Sequence, residues 1–507
     1  MKQIVLSSVI IAILLLTVII TPGCTSEPAV TTTVPPGDNL LAGGENEFQN
    51  DNLHAATRLF TFAQANYTAA GDTEAALKAR DRVTTSRMLT LEFPYNRSTV
   101  EEEVAKAFPD ASPEEIARWL DANMTATINS DGEILYFSDT VSNIRYHNLV
   151  LMQKKTAAGN HTPLYDEITP LTLDPQKTGS DPYGEPVSWK GVGEFSLSRD
   201  VLPDNGTLKL WISLPIETGS QTNVTIDSVE PAKYVKSSTG TTADLGLVYL
   251  EIPLEEVNDP SVNVTARFRF LQHEQRFEID PAKVEPYNTS DPMYLKYTTS
   301  SKNIVITPEM KKKAQEIIGN ETNPYLQAKK IFWYIVDTLP YSKAPHTWLD
   351  ASNTPESVYV LETGIGDCGS QSMYFAALCR SIGIPARATG GYQMIMGNAG
   401  THFWAEYYLE GYGWIPVDVT AAEGADWSYN ATPEERHRYK EYFFGSLDPY
   451  RYIIQKDMDI PFVPETNDTT SSEIFLQEPK GVCDTCTVSP NLFLPESSSW
   501  SVTMTKE

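Results

Sequence analysis

Three residues in the last third of the chain, Cys368, His402 and Asp418, have side chains suited to nucleophilic attack on a carbonyl. Cys368 closes the Gly-rich stretch TGIGDC. After it, Met373, Phe375, Ala376, Ala377 and Cys379 are apolar at helical spacing. A thiol in the first turn of a helix meets the positive end of the dipole and free N–H groups, which favours the nucleophilic thiolate. Such a cysteine needs a base, and the base needs an orienting partner. His402 stands at the start of a predicted strand in THFWAEYYLEGYGWIPVDVT. The Gly-rich stretch Glu410–Gly413 turns the chain back, and Asp418 falls on the return strand, toward the end that holds His402. A carboxylate there holds the imidazole in one tautomer and stabilises its cation. Cys379, inside the apolar pattern, reads as a small buried hydrophobe.

The pieces Gly366-Asp367-Cys368, Gly383-Ile384-Pro385-Ala386-Arg387, Gly390-Gly391-Tyr392, His402-Phe403-Trp404-Ala405-Glu406, and Gly413-Trp414 with Asp418 follow an order that resembles the core of the transglutaminase-like superfamily. The resemblance covers Asn303 to about Asp457. It implies a papain-like fold and a catalytic triad on Cys368, His402 and Asp418. It also implies a thioester formed with an amide carbonyl and released by water or an amine. The oxyanion would be met by the N–H of Cys368 and one upstream donor, for which Tyr341 and Trp348 both stand open. Members of the superfamily include transglutaminases, cysteine peptidases, peptide N-glycanases and inactive copies.

The elements that must position these residues are legible in outline, as a multidomain α+β chain. It combines an N-terminal helical hairpin, an antiparallel β-sandwich and a papain-like transglutaminase core. Residues 39–92 are helical in period, with a turn at 70–72, and predict a TPR-like hairpin of two helices. Residues 93–186 read as mixed helix, strand and loop. Ser112-Pro113-Glu114-Glu115 is a helix start, and Gly159–Gly184 is a predicted loop. Residues 187–290 alternate, as in Val262, Val264, Ala266, Phe268 and Phe270, and predict the sandwich, a spacer or platform. Residues 300–460 hold the catalytic domain, and 461–507 read as a polar tail carrying Cys483 and Cys486. That CxxC has no second pair to complete a metal site, so a local disulfide is the expectation.

A net charge of −27 argues against nucleic acid as a partner. Met1-Lys2-Gln3 followed by the uncharged apolar run Ile4–Ile20 reads as the start of a signal peptide spanning 1–23. Gly23-Cys24 is then a lipoprotein-like cleavage site with Cys24 lipidated; an uncleaved N-terminal anchor is the other reading. The Pro/Thr-rich segment 24–38 reads as a tether. Eleven Asn-x-Ser/Thr sites, from Asn66 to Asn467, suit a glycosylated surface chain, as in an archaeal lipoprotein. The expectation is an extracellular, membrane-tethered thiol enzyme acting on peptide or isopeptide amides without a cofactor, foremost a cysteine peptidase. Protein crosslinking and a noncatalytic surface interaction module are the alternatives. No EF-hand-like calcium loop is present in the sequence.

Overall fold

The computed structural model describes residues 36–122, 124–152, 163–173, 181–395, 398–427, 431–465, 477–483, 485–486 and 497–507. The predicted signal segment and Cys24 lie outside the described residues. No helix among the described residues is long and apolar enough to cross a membrane.

Residues 37–92 form three helices rather than the predicted two: α1 (Gly37–Gln49), α2 (Leu53–Ala70) and α3 (Thr73–Glu92). The additional break falls at Asn50-Asp51-Asn52, where Asp51 adopts a left-handed backbone (φ 60°). The 70–72 turn is present: Gly71 caps α2 at φ 75°, and Asp72 accepts from the N–H of Ala75 to start α3. The layer continues with α4 (Arg97–Ala107), α5 (Pro113–Leu120), the hairpin β1 (Thr127–Ser130) and β2 (Glu133–Tyr136), and α6 (Thr140–His147). Ser112 and Glu115 close a capping box at α5. The predicted loop 159–184 contains α7 (Pro163–Leu173), whose Ile168 is fully buried against the hydrophobic core of residues 304–458.

Residues 183–276 supply β3 (Tyr183–Ser198), β4 (Thr207–Ser213), β5 (Gln221–Glu230), β6 (Val235–Ser238), β7 (Leu247–Pro253) and β8 (Ser261–Arg276). Inward residues of β3 and β8 (Phe195, Val264) share one core with those of β4 and β7 (Leu210, Ile212, Leu250), so two sheets face each other.

The C-terminal half runs α8 (Pro292–Tyr297), α9 (Pro308–Ile318), α10 (Pro324–Thr338), α11 (His346–Ala351), α12 (Glu356–Thr363) and α13 (Cys368–Ser381). It continues with β9 (Ala386–Ile395), β10 (Asn398–Leu409), β11 (Gly413–Val417), α14 (Val419–Trp427), α15 (Pro433–Tyr442), β12 (Ser446–Leu447) and β13 (Arg451–Gln455). The last strands are β14 (Lys480–Cys483) and β15 (Ser498–Lys506).

Two expectations are corrected here. One layer of the sandwich is not a separate spacer: the strand path β12-β8-β3-β15-β10-β9-β13 makes it continuous with the sheet that carries His402. The segment 461–507 is not simply a polar tail. Its β14 pairs with β4, and its β15 lies between β3 and β10. The alternation Trp500, Val502, Met504 carries that strand's apolar face, and Val502 and Met504 are buried beside Tyr392 and Tyr452.

Candidate active site

α13 starts where the sequence pattern places it. Asp367 is the N-cap, with Oδ1 accepting from the N–H groups of Gly369 and Ser370 at 3.1 Å each. Every residue from Gly369 to Ser381 is buried, while Cys368 at the first position is partly buried. A helix held this way gives its first residue little freedom, and a Phe375→Ala cavity beneath it would cost roughly 3–5 kcal/mol. Gly366 is needed for close approach, because a Cβ there would lie 2.6 Å from Ser370 Oγ and 2.8 Å from Val360 Cγ2.

The β10–β11 register sets Ala405 opposite Val417, so Asp418 emerges just past the paired strand and returns toward His402. His402 Nε2 donates to Asp418 Oδ2 at 2.8 Å. That bond commits Nε2 to the carboxylate, and Cys368 stands near enough to the ring to act on its charge. Burial disfavours the imidazolium, but Asp418 and Cys368 outweigh it and raise the His402 pKa to about 9. Burial likewise opposes the Asp418 carboxylate, yet His402 and Arg451 hold its pKa well below the usual range. The structure thus brings Cys368, His402 and Asp418 together.

Of the two upstream aromatic residues, Tyr341 is at the site. It pairs with Gly366 in a parallel bridge, and the N–H of Ser342 donates to the Gly366 carbonyl at 2.9 Å. Burial, with Cys368 and Asp367 nearby, pushes its phenol pKa well up, so it remains a donor at neutral pH. Trp348 is placed elsewhere. It lies on α11, facing a cavity lined by Phe48, Leu53, Arg82 and Leu89 from the N-terminal helices. Its backbone N–H and that of Thr347 donate to Glu92 at 2.8 and 3.0 Å, and its indole packs in the cluster of Leu53, Leu89 and Phe93. Cys379 is fully buried, and burial pushes its thiol pKa above the ordinary range. Cys483 and Cys486 form a disulfide.

Several partners escape sequence reasoning. His346 bridges two carboxylates, Nδ1 to Glu356 at 2.7 Å and Nε2 to Asp367 at 2.8 Å. Burial works against its cation, but the two acids raise its pKa well above the ordinary value. Asn143 on α6 clamps the loop beside the site, accepting from the N–H of Lys343 at 2.8 Å and donating to its carbonyl at 3.1 Å. Tyr146 packs its ring 4.8 Å from Tyr341 and 5.2 Å from Trp427. Gln477 Nε2, from the segment read as a tail, donates to the carbonyls of Gly391 at 2.6 Å and His402 at 2.8 Å. Glu423 is buried beside Gln371. Burial pushes its carboxyl pKa well up, and Gln371 Nε2 donates to the Gly366 carbonyl at 2.9 Å. These partners are many residues apart and follow no period. The only local signals are a histidine two residues upstream of Trp348 and an acid directly before Cys368.

Residues 311–419 match the family model described as the transglutaminase-like superfamily. An uncharacterized protein of Haemophilus influenzae is 31% identical over 162 residues, which is 27% of this chain and 42% of that protein. The chain therefore spans less than half the length of that curated relative. A solved structure of a candidate cysteine protease from Cytophaga hutchinsonii shares 16% identity, covering 64% of this chain and 99% of that one, with a TM-score of 0.37. The periplasmic domain of TgpA from Pseudomonas aeruginosa, bound to ethylmercury, shares 13% identity over 50% of this chain and 93% of that one, with a TM-score of 0.23. The segment that holds Cys368, His402 and Asp418 is therefore similar to the transglutaminase-like superfamily.

Proposed function

We propose that the chain is a thiol acyl-transfer enzyme acting on peptide or isopeptide amides, and that its main reaction is hydrolysis, as in a cysteine peptidase. The observation that carries this reading is His402 lying between Cys368 and Asp418, with Nε2 committed to the carboxylate at 2.8 Å. Cys368 Sγ, as the thiolate, attacks the amide carbon. The oxyanion that forms meets the N–H of Cys368 at the helix start and the phenol of Tyr341. Donors of this kind contribute about 3–4 kcal/mol each. His402 gives its proton to the leaving nitrogen, the C–N bond breaks, and a thioester remains. Water then adds to the thioester, with His402 taking its proton. The C–S bond breaks, the acid leaves, and the thiolate and imidazolium are restored. An amine in place of water gives crosslinking by the same steps.

The reading extends to an exported chain, tethered by a lipid on Cys24 or by an uncleaved anchor. The apolar run Ile4–Ile20, the Gly23-Cys24 pair and the sequons support that placement, as does the Cys483–Cys486 disulfide. Incubation of the chain with a peptide library and a primary amine tests the chemistry. Cleavage products that disappear in Cys368→Ala are expected; an unchanged library with both wild type and variant overturns the reading. The mass of the native N-terminus separates lipidated Cys24 from intact Met1.

A further inference from the structure

Behind the Asp418 carboxylate lies a cation that no motif marks. Arg451, on β13, is fully buried, as are Asp418 and Asp448. Arg451 Nη1 donates to Asp418 Oδ2 at 2.7 Å, while Nε and Nη2 fork onto Asp448 Oδ2 at 3.0 and 2.6 Å. Asp448 is itself held, its Oδ1 accepting from the N–H of Tyr450 at 3.1 Å. Asp418 Oδ1 accepts from the N–H of Ala421 at 2.9 Å. One oxygen of Asp418 is thus shared between the imidazole N–H of His402 and the guanidinium of Arg451. The approach of β13 depends on Gly391, since a Cβ there would meet the Tyr452 carbonyl oxygen at 2.0 Å.

The charges alternate along this line: Asp448, Arg451, Asp418, His402. A pair kept only for stability would be complete with Asp448 and Arg451. The further bond to Asp418 ties that pair to the residue that orients His402, in a region dry enough for each charge to be felt strongly by the next. Trp404 closes the space, its ring 5.2 Å from the Arg451 guanidinium and 6.2 Å from the His402 ring. The other ionisable groups facing His402 and Asp418 are Cys368 from α13 and Glu423 from α14.

We infer that Arg451 is a positioning residue of the Cys368–His402–Asp418 machinery: anchored by Asp448, it fixes the Asp418 carboxylate and divides that carboxylate's charge with His402. The inference rests on the acyl-transfer reading above. A carboxylate whose charge is divided stabilises the imidazolium less, so His402 releases its proton to the leaving amine more readily.

The test is the pH dependence of iodoacetamide alkylation of Cys368 in the full chain. Wild type is expected to show an alkaline transition that His402→Ala removes; its absence in wild type would sink the acyl-transfer reading itself. With that transition in hand, Arg451→Met is expected to move it upward by about one pH unit, the size of a lost neighbouring charge. The double variant Arg451→Met/Asp448→Asn removes the cation together with its counter-charge, is chosen to keep the fold, and is expected to move it the same way. Arg451→Lys keeps the charge but not the fork, and is expected to move the transition less than Arg451→Met does. A transition unmoved in the folded double variant overturns the inference. So does an equal shift in Arg451→Lys and Arg451→Met, because packing rather than charge would then be responsible.

Discussion

The carboxylate of Glu92, the last residue of α3, accepts from the N–H groups of Thr347 and Trp348, the latter 256 residues away in sequence. It thereby caps α11, the helix whose first residue is His346. His346 in turn holds Asp367, the cap of α13. The N-terminal layer is thus linked, through two successive helix starts, to the residue beside the nucleophile. Glu92→Ala should lower stability by about 1–2 kcal/mol, the usual cost of a lost cap, and slow Cys368 alkylation; Glu92→Gln, which keeps an acceptor, should recover most of both. Denaturant midpoints and alkylation rates on the same samples check this. An Ala variant that is less stable but alkylated at the wild-type rate would show that the link does not reach the thiol.

The triad makes its own demand. Cys368→Ala should abolish turnover while changing stability by less than about 1 kcal/mol, because only one small, partly buried sulfur is lost. His402→Ala and Asp418→Asn should each lower kcat by about a thousandfold or more. The effects should not add in the double variant, since the residues act as a unit. Steady-state kinetics on a cleaved peptide measures this.

The His402 pKa, raised to about 9, fixes the direction of the pH dependence. A raised histidine contributes stability that is complete below its unfolded value of about 6.5 and is lost as pH rises through the folded value. Wild type should therefore lose stability relative to His402→Gln between about pH 6.5 and 9. Asp418, whose pKa is depressed, contributes the other way: its share is present above about pH 4 and lost on acidification. Urea titrations across this range decide the matter, and parallel curves for the two proteins would contradict it.

Tyr341 and Trp348 should separate cleanly. Tyr341→Phe removes a donor beside Gly366 and should lower kcat about a hundredfold with little change in KM. Trp348→Phe alters packing against the N-terminal helices and should change stability while leaving kcat within a few-fold. Equal losses of kcat in both would return Trp348 to the oxyanion site.

The chemistry was more legible in the sequence than its support. Cys368, His402 and Asp418 lie within 51 consecutive positions, in motifs whose turns and strands are encoded locally. The helix start at Ser112 follows from a few adjacent residues. Arg451, Gln477, Glu92 and Asn143 act on the site from segments brought close only by tertiary packing, and one polar side chain carries no period. β15 left a visible alternation, but its short run follows a proline and serines that mask it. The Asn50–Asn52 break in the first helices is polar but has neither Gly nor Pro, so the helical period reads through it.

Gln477 and β15 also bear on the order of events during synthesis. The strands carrying His402 and Arg451 are hydrogen-bonded or packed by residues more than twenty positions further on. A ribosome that has made everything through Gln455 has released all three triad residues but not these clasps. The surroundings of the nascent thiol should therefore remain poorly organised until β15 has been added, so that the site is completed only when these segments fold together.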